Sequence, residues 1–288
     1  MDQTHVASAT VLPPNPMPSP SLVAEKLCQH LGFTPGHLTR TEHHRVHEYY
    51  LPVAMWILNK LAERRSSSTP SCTPLTVGLS APQGCGKTTL VESLVAVLSA
   101  LDIGVASASI DDFYLTRADQ IARAAQHPGN PLLELRGNAG SHDLHLGTTT
   151  LRALQSLGAA APPGLMGTDE VAAVENLQKS TVYVPRYDKS LHGGKGDRAP
   201  EEEWAPAPHQ LEVILFEGWM LGFEPVGRES AAAVSPHLVD VDQYLTEYVD
   251  QWHAAMDAWI VVQVGNPEWC YKWRLQAEVA MRNRGKVQ

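Results

Sequence analysis

The sequence predicts an α/β fold: a mainly parallel sheet with helices on both faces, a small N-terminal helical extension and a C-terminal lid helix. Three observations carry this. An apolar run, Leu75-Thr76-Val77-Gly78-Leu79, meets a glycine-rich turn, Ala81 to Thr88, and the turn meets a helical pattern from Thr89 to Ala100. From Leu75 onward, strand-like apolar runs alternate with helical stretches. Finally, 288 residues with 43% hydrophobic content suffice for one large core and a small addition.

Taken in order, residues 1–20 hold five prolines among Ser and Thr without periodicity, and read as disordered. The first arginine is Arg40, so this stretch lacks the composition of an organelle transit peptide, and it has no apolar core of a secretory signal. Residues 21–34 and 40–66 have helical spacing and form the extension, with Pro52 expected to kink the second helix. A Ser-rich linker leads into the core domain, 67–288. A strand over 105–110 ends at Asp111, a helix spans 117–126, and residues 148–157 form a helix capped by Gly158. Residues 159–170, rich in Ala, Pro and Gly, read as a surface insertion. A strand near 181–185 opens onto a basic loop, 186–198, and the apolar run 211–216 ends at Glu217. A helix over 237–257, a buried strand over 258–264 and a basic helix over 268–284, within a lid region 268–288, complete the pattern. No internal repeat is present.

Composition excludes several functions. No apolar run reaches the ~20 residues of a membrane span. A formal charge of −9 argues against nucleic-acid and membrane-surface binding. Cys28, Cys72, Cys85 and Cys270 are far apart and suggest neither a zinc site nor a disulfide framework, which fits a reducing compartment. Cys85 reads as a small packing residue, with a redox switch as the alternative.

The turn Ala81-Pro82-Gln83-Gly84-Cys85-Gly86-Lys87-Thr88, continuing into Thr89, is a phosphate-binding loop in its proper strand–loop–helix setting, so the fold is P-loop NTPase-like. Gly84 and Gly86 let backbone N–H groups converge on an anion, and the helix start adds its free donors. Lys87 reaches the outer phosphates of ATP, and the Thr88 hydroxyl suits Mg2+. Ala81 stands where the strict pattern has glycine. Ligands bind at the carboxyl ends of parallel strands, where Asp111 and Glu217 also sit. Phosphoryl transfer needs a carboxylate near the metal and another at the accepting hydroxyl. Glu217 takes the first role and Asp111 the second, with Asp112 competing as base because a one-residue shift swaps them. The basic loop supplies Arg186, Lys189, Lys195 and Arg198 for an anionic substrate. Lid residues Arg274 and Arg282 suit transition-state charge, or else pair with Glu278 on a solvated helix. His142 and Asp143 line the acceptor pocket, or Asp143 caps a helix.

Several blocks then resemble the D-glycerate 3-kinases of plants and algae. They are Gly78 to Leu90, Ser109 to Thr116, Arg136 to Asp143, Pro185 to Ser190, Gly194 to Ala199, Leu215 to Phe223 and Trp273 to Glu278, in family order. The resemblance implies ATP-dependent phosphorylation of D-glycerate to 3-phosphoglycerate, the closing step of photorespiration in the chloroplast stroma. It also implies Asp111 as base and Glu217 near the metal, as in the wider group with pantothenate kinase, uridine kinase and phosphoribulokinase. The lack of a recognisable transit peptide leaves a cytoplasmic location as the alternative. A kinase of the pantothenate or uridine kind, or an ATP-binding form without catalysis, are the competing functions. The family pattern continues past the lid helix, which predicts part of the sheet or lid uncovered in a chain ending at Gln288.

Overall fold

The computed structural model describes residues 17–67, 73–158 and 181–283. Most of the stretch read as disordered (1–16) and the insertion 159–170 lie outside the described residues.

Helix α1, Pro20–Leu31, starts on Ser19, whose hydroxyl accepts from the Leu22 N–H at 3.3 Å, and stops at Gly32 in a left-handed conformation (φ 71°). Helix α2, Arg40–His43, opens with a reciprocal cap between Thr39 and Glu42. The chain then winds as a π-helix over His44–Tyr50 and returns to α geometry in α3, Leu51–Arg65. Pro52 has no N–H to give the preceding turn, and the register slips just ahead of it, where the Leu51 N–H bonds to the Val46 carbonyl. The break expected at Pro52 is thus a change of helical register.

These helices do not stand apart. Leu27, Ile57 and Leu61 share one buried cluster with Leu79 of β1 (Leu75–Ser80) and Leu94 of α4 (Lys87–Ser99). They cover one face of the sheet.

Strand β2, Val105–Ser109, runs into a 3-10 turn, Ile110–Phe113. Helices α5 (Arg117–Gln126), α6 (Pro131–Glu134) and α7 (Leu144–Ser156) follow. Helix α7 begins four residues earlier than its periodicity suggests because Asp143 caps it, and it ends on Leu157 rather than Gly158. Two ribbons of two-residue strands come next. Strand β3 (Tyr183–Val184) pairs antiparallel with β6 (Ala205–Pro206), and β4 (Tyr187–Asp188) with β5 (Asp197–Arg198). Strand β7 (Val213–Gly218) precedes α8 (Arg228–Val234), a short helix the sequence did not signal. The helix expected over 237–257 is shorter: α9 covers Leu238–Gln251, and a 3-10 turn occupies His253–Ala255. Strand β8 (Ala258–Val261) and α10 (Glu268–Asn283) close the described chain.

The main sheet has the order β2-β7-β1-β8, with every pair parallel. All six residues of β1 and of β7 are buried, which explains their unbroken apolar character. Phe113, Leu151, Phe216, Tyr248 and Trp252 fill the other face. Strand β8 departs from expectation. It is one of the two edge strands, stops at Val261, and is half-exposed rather than buried, with Val261 71% accessible.

Candidate active site

The parallel pairing sets the site. Glu217 in β7 lies level with Leu79 of β1 and with Ser109 of β2. The phosphate loop leaves β1 two residues after Leu79, and Asp111 follows Ser109 by two. Three segments far apart in sequence therefore open onto one edge of the sheet, as a parallel sheet requires of its ligand sites.

In the loop, Gly84 and Gly86 hold φ values of 83° and 88°, and Gly86 is the residue on which α4 starts. A side chain on Gly84 would meet the Cys270 carbonyl oxygen at 2.7 Å, so α10 lies directly against the loop. Ala81 needs no such freedom. It is 1% exposed, avoids positive φ, packs in the core and donates its N–H to the Gly218 carbonyl at 3.3 Å. Burial pushes the Cys85 thiol up, and it is half-buried, in keeping with the packing role. Thr88 is exposed to the cavity, and Thr89 is half-buried behind it.

Lys87 forms an ion pair with Glu217, and both side chains are largely buried. Burial lowers the Lys87 ammonium to about 8, against the upward pull of Asp111. Asp111 faces the same cavity, of about 730 Å³, together with Lys87, Thr88, Tyr114, Arg136 and Lys189. Its Oδ2 is 2.5 Å from Lys189 Nζ, and Tyr114 lines the cavity beside it. Burial alone would raise this carboxyl. The Lys189 charge and hydrogen bond outweigh it and hold Asp111 below the usual carboxylate range. Asp112 is occupied elsewhere: it accepts the Ser109 N–H and pairs with Arg186, each at 3.1 Å, and burial raises its pKa. The geometry separates the two neighbouring acids, with Asp111 in the cavity and Asp112 capping the turn that presents it.

The remaining sequence candidates divide. Lys189 lines the cavity, while Arg186 stands behind Asp112. Lys195 is exposed, and its carbonyl accepts from Arg136. Arg198 bonds Asp143 at 2.9 Å and the Tyr114 carbonyl at 3.3 Å, as a strut. Asp143 accepts the Leu146 N–H and is the helix cap, not a pocket residue. His142 is 4% exposed, stacked on Tyr114 with ring centroids 4.5 Å apart and bonded to the Tyr248 hydroxyl at 2.7 Å. Burial drives its pKa down to about 3, so it is neutral and offers no charge to a substrate. Arg274 reaches Gln83 of the loop at 3.1 Å. The side chain of Arg282 lies outside the described residues.

Two cavity residues escaped the sequence reading, Tyr114 and Arg136, although both sit in blocks that carried the resemblance. Arg136 donates to the carbonyls of Gly194 (2.9 Å), Lys195 and Lys189 (3.4 Å). Its guanidinium also lies 5.6 Å from the Tyr187 ring. It fastens the whole basic loop to the cavity wall. Only its tertiary contacts mark it.

No family model matches the sequence. The chain is 42% identical over 268 residues to "D-glycerate 3-kinase, chloroplastic" of Arabidopsis thaliana, covering 92% of this chain and 55% of that protein. It is 34% identical to an uncharacterized kinase of Schizosaccharomyces pombe over 75% of this chain and 74% of the relative. Among solved structures, D-glycerate 3-kinase from Cryptococcus neoformans aligns with a TM-score of 0.68 and 30% identity, over 82% of this chain and 80% of that one. The chain belongs to the D-glycerate 3-kinase family. It spans about half the length of the Arabidopsis relative.

For this family, the donor set at the cavity can be tested against Mg2+. Among the described residues no three Asp, Glu, His or Cys side chains form a ready-made metal cluster. A hydroxyl (Thr88) and a carboxylate (Glu217) beside a phosphate loop are what Mg2+ uses when phosphates and water supply its other ligands. The residues fit.

Proposed function

We propose that the chain transfers the γ-phosphoryl group of ATP to the 3-hydroxyl of D-glycerate, giving 3-phosphoglycerate. The observation that carries this reading is the cavity in which Lys87 and Thr88 of the phosphate loop face Asp111 and Lys189. Phosphates entering the loop draw Lys87 off Glu217, which leaves that carboxylate and the Thr88 hydroxyl to hold Mg2+. The metal, when bound, neutralises charge on the outer phosphates. Lys189, with Arg136 beside it, receives the glycerate carboxylate and so places the far hydroxyl near Asp111, which accepts its proton. Arg274, resting on the loop through Gln83, is positioned to meet charge on the transferred group. A plastid location belongs to the same reading and is supported by the word chloroplastic in the name of the Arabidopsis relative, while a photorespiratory role rests on the sequence resemblance alone.

The test is ADP release by the purified chain with D-glycerate, pantothenate or uridine as acceptor. Turnover with D-glycerate alone is expected, and Lys87→Ala should lower it by about a hundred- to a thousandfold, the scale of losing one charge-stabilising group. Undiminished turnover in Lys87→Ala, or preference for another acceptor, overturns the reading.

A further inference from the structure

Lys189 is placed to do more than receive a substrate. Its ammonium stands on Oδ2 of Asp111, the atom turned toward the cavity's basic loop, and Tyr114 lines the cavity beside this pair. An ammonium seated on this oxygen occupies the lone pair that faces the basic loop and lowers the carboxylate's affinity for a hydroxyl proton.

The two halves of this contact differ in rigidity. The main chain carrying Lys189 is anchored, because Arg136 bonds the carbonyls of residues 189, 194 and 195 and β4 pairs with β5. The Lys189 side chain is 55% exposed on a flexible four-carbon stem. An ion pair that open to solvent is screened and weak, so a competing anion can take the ammonium without moving the loop.

We propose that Lys189 is a latch on Asp111 that opens for a carboxylate-bearing acceptor. Until such an acceptor arrives, the ammonium stays on Asp111. The acceptor's carboxylate then draws Lys189 away and frees Asp111. The acceptor O–H bond breaks with its proton passing to Asp111, the oxygen forms a bond to the γ-phosphorus, and the bond from that phosphorus to the bridging oxygen breaks, leaving its electron pair on ADP. Lys189 therefore selects acceptors in the chemical step as well as in binding. A neutral alcohol of similar size occupies the cavity with Asp111 still masked, and a stray water meets the same masked base. The inference rests on the glycerate-kinase reading.

The experiment compares wild type, Lys189→Met and Lys189→Arg with D-glycerate, with glycerol, and with no acceptor, measuring ADP release at saturating ATP. Glycerol keeps the hydroxyls and lacks the carboxylate. In Lys189→Met, kcat with glycerol and the acceptor-independent rate should each rise by about two- to fivefold, the factor that an exposed ion pair of this kind holds back. KM for D-glycerate should rise in the same variant. Lys189→Arg, which keeps a cation on Asp111, should raise these two rates less than Lys189→Met does. If Lys189→Met raises only the glycerate KM and leaves glycerol and acceptor-free rates unchanged, Lys189 merely binds the carboxylate and the latch is wrong. If wild type does not turn over D-glycerate at all, the underlying reading fails and the latch with it.

Discussion

His142 makes the stability of this protein depend on pH in a way that can be isolated. Its imidazole is 4% exposed between Tyr114 and Tyr248, and burial drives its folded pKa down to about 3. In the unfolded chain it titrates near ~6.5. Below that pH the unfolded state binds a proton that the folded state refuses. The histidine's contribution is therefore complete above ~6.5 and erodes as pH falls toward the folded value. Between pH 7 and pH 5 the loss is about 2 kcal/mol, a figure insensitive to the folded pKa so long as it lies well below 5. The perturbation is His142→Asn, whose amide can keep a bond to the Tyr248 hydroxyl but has no proton to gain. Urea unfolding of both proteins at pH 7 and pH 5 gives the double difference, in which all other titrating groups cancel. Wild type should lose about 2 kcal/mol more than the variant over this interval. Equal losses would mean that His142 protonates freely in the folded state, and that the wall behind Tyr114 and Asp111 is not dry.

Two further substitutions test how the site is supported. In Gly104→Ala, the new methyl would run into the Gln210 carbonyl, where the Gly104 carbonyl itself accepts from Glu212 and Val213. The backbone must shift, and a cost at the upper end of about 1–3 kcal/mol is expected in denaturant unfolding; an unchanged midpoint would contradict this packing. Asp143→Ala removes the α7 cap and the Arg198 partner, for an expected loss of about 1–2 kcal/mol of stability. KM for D-glycerate should stay near wild type, and a large rise would return Asp143 to the acceptor pocket.

What the sequence alone determined is what short-range chemistry decides. The phosphate loop was legible because Gly84 and Gly86 provide left-handed backbone between an unbroken apolar strand and a helix, all within a few residues. Asp111 and Glu217 were legible because parallel strands end where ligands bind, and apolar runs mark those ends. The register of β7 against β1 and β2 then set Glu217 level with Ser109, two residues before Asp111. The roles that depend on contacts across long stretches of chain were decided only by the tertiary structure. Asp111 and Asp112 are indistinguishable by propensity, and what separates them is which basic residue of the distant loop each one meets. His142 and Asp143 sit in a polar loop by composition, yet one is buried against Tyr248 and the other ends in a helix cap. Strand β8 has the apolar content of a buried strand and is half-exposed at one edge of the sheet, whereas β2 at the other edge is mostly buried. Arg136 gave no local signal, since its partners are carbonyls more than fifty residues away along the chain. Backbone preference acts over a turn or two, whereas burial and charge pairing are set by whatever the finished fold places alongside.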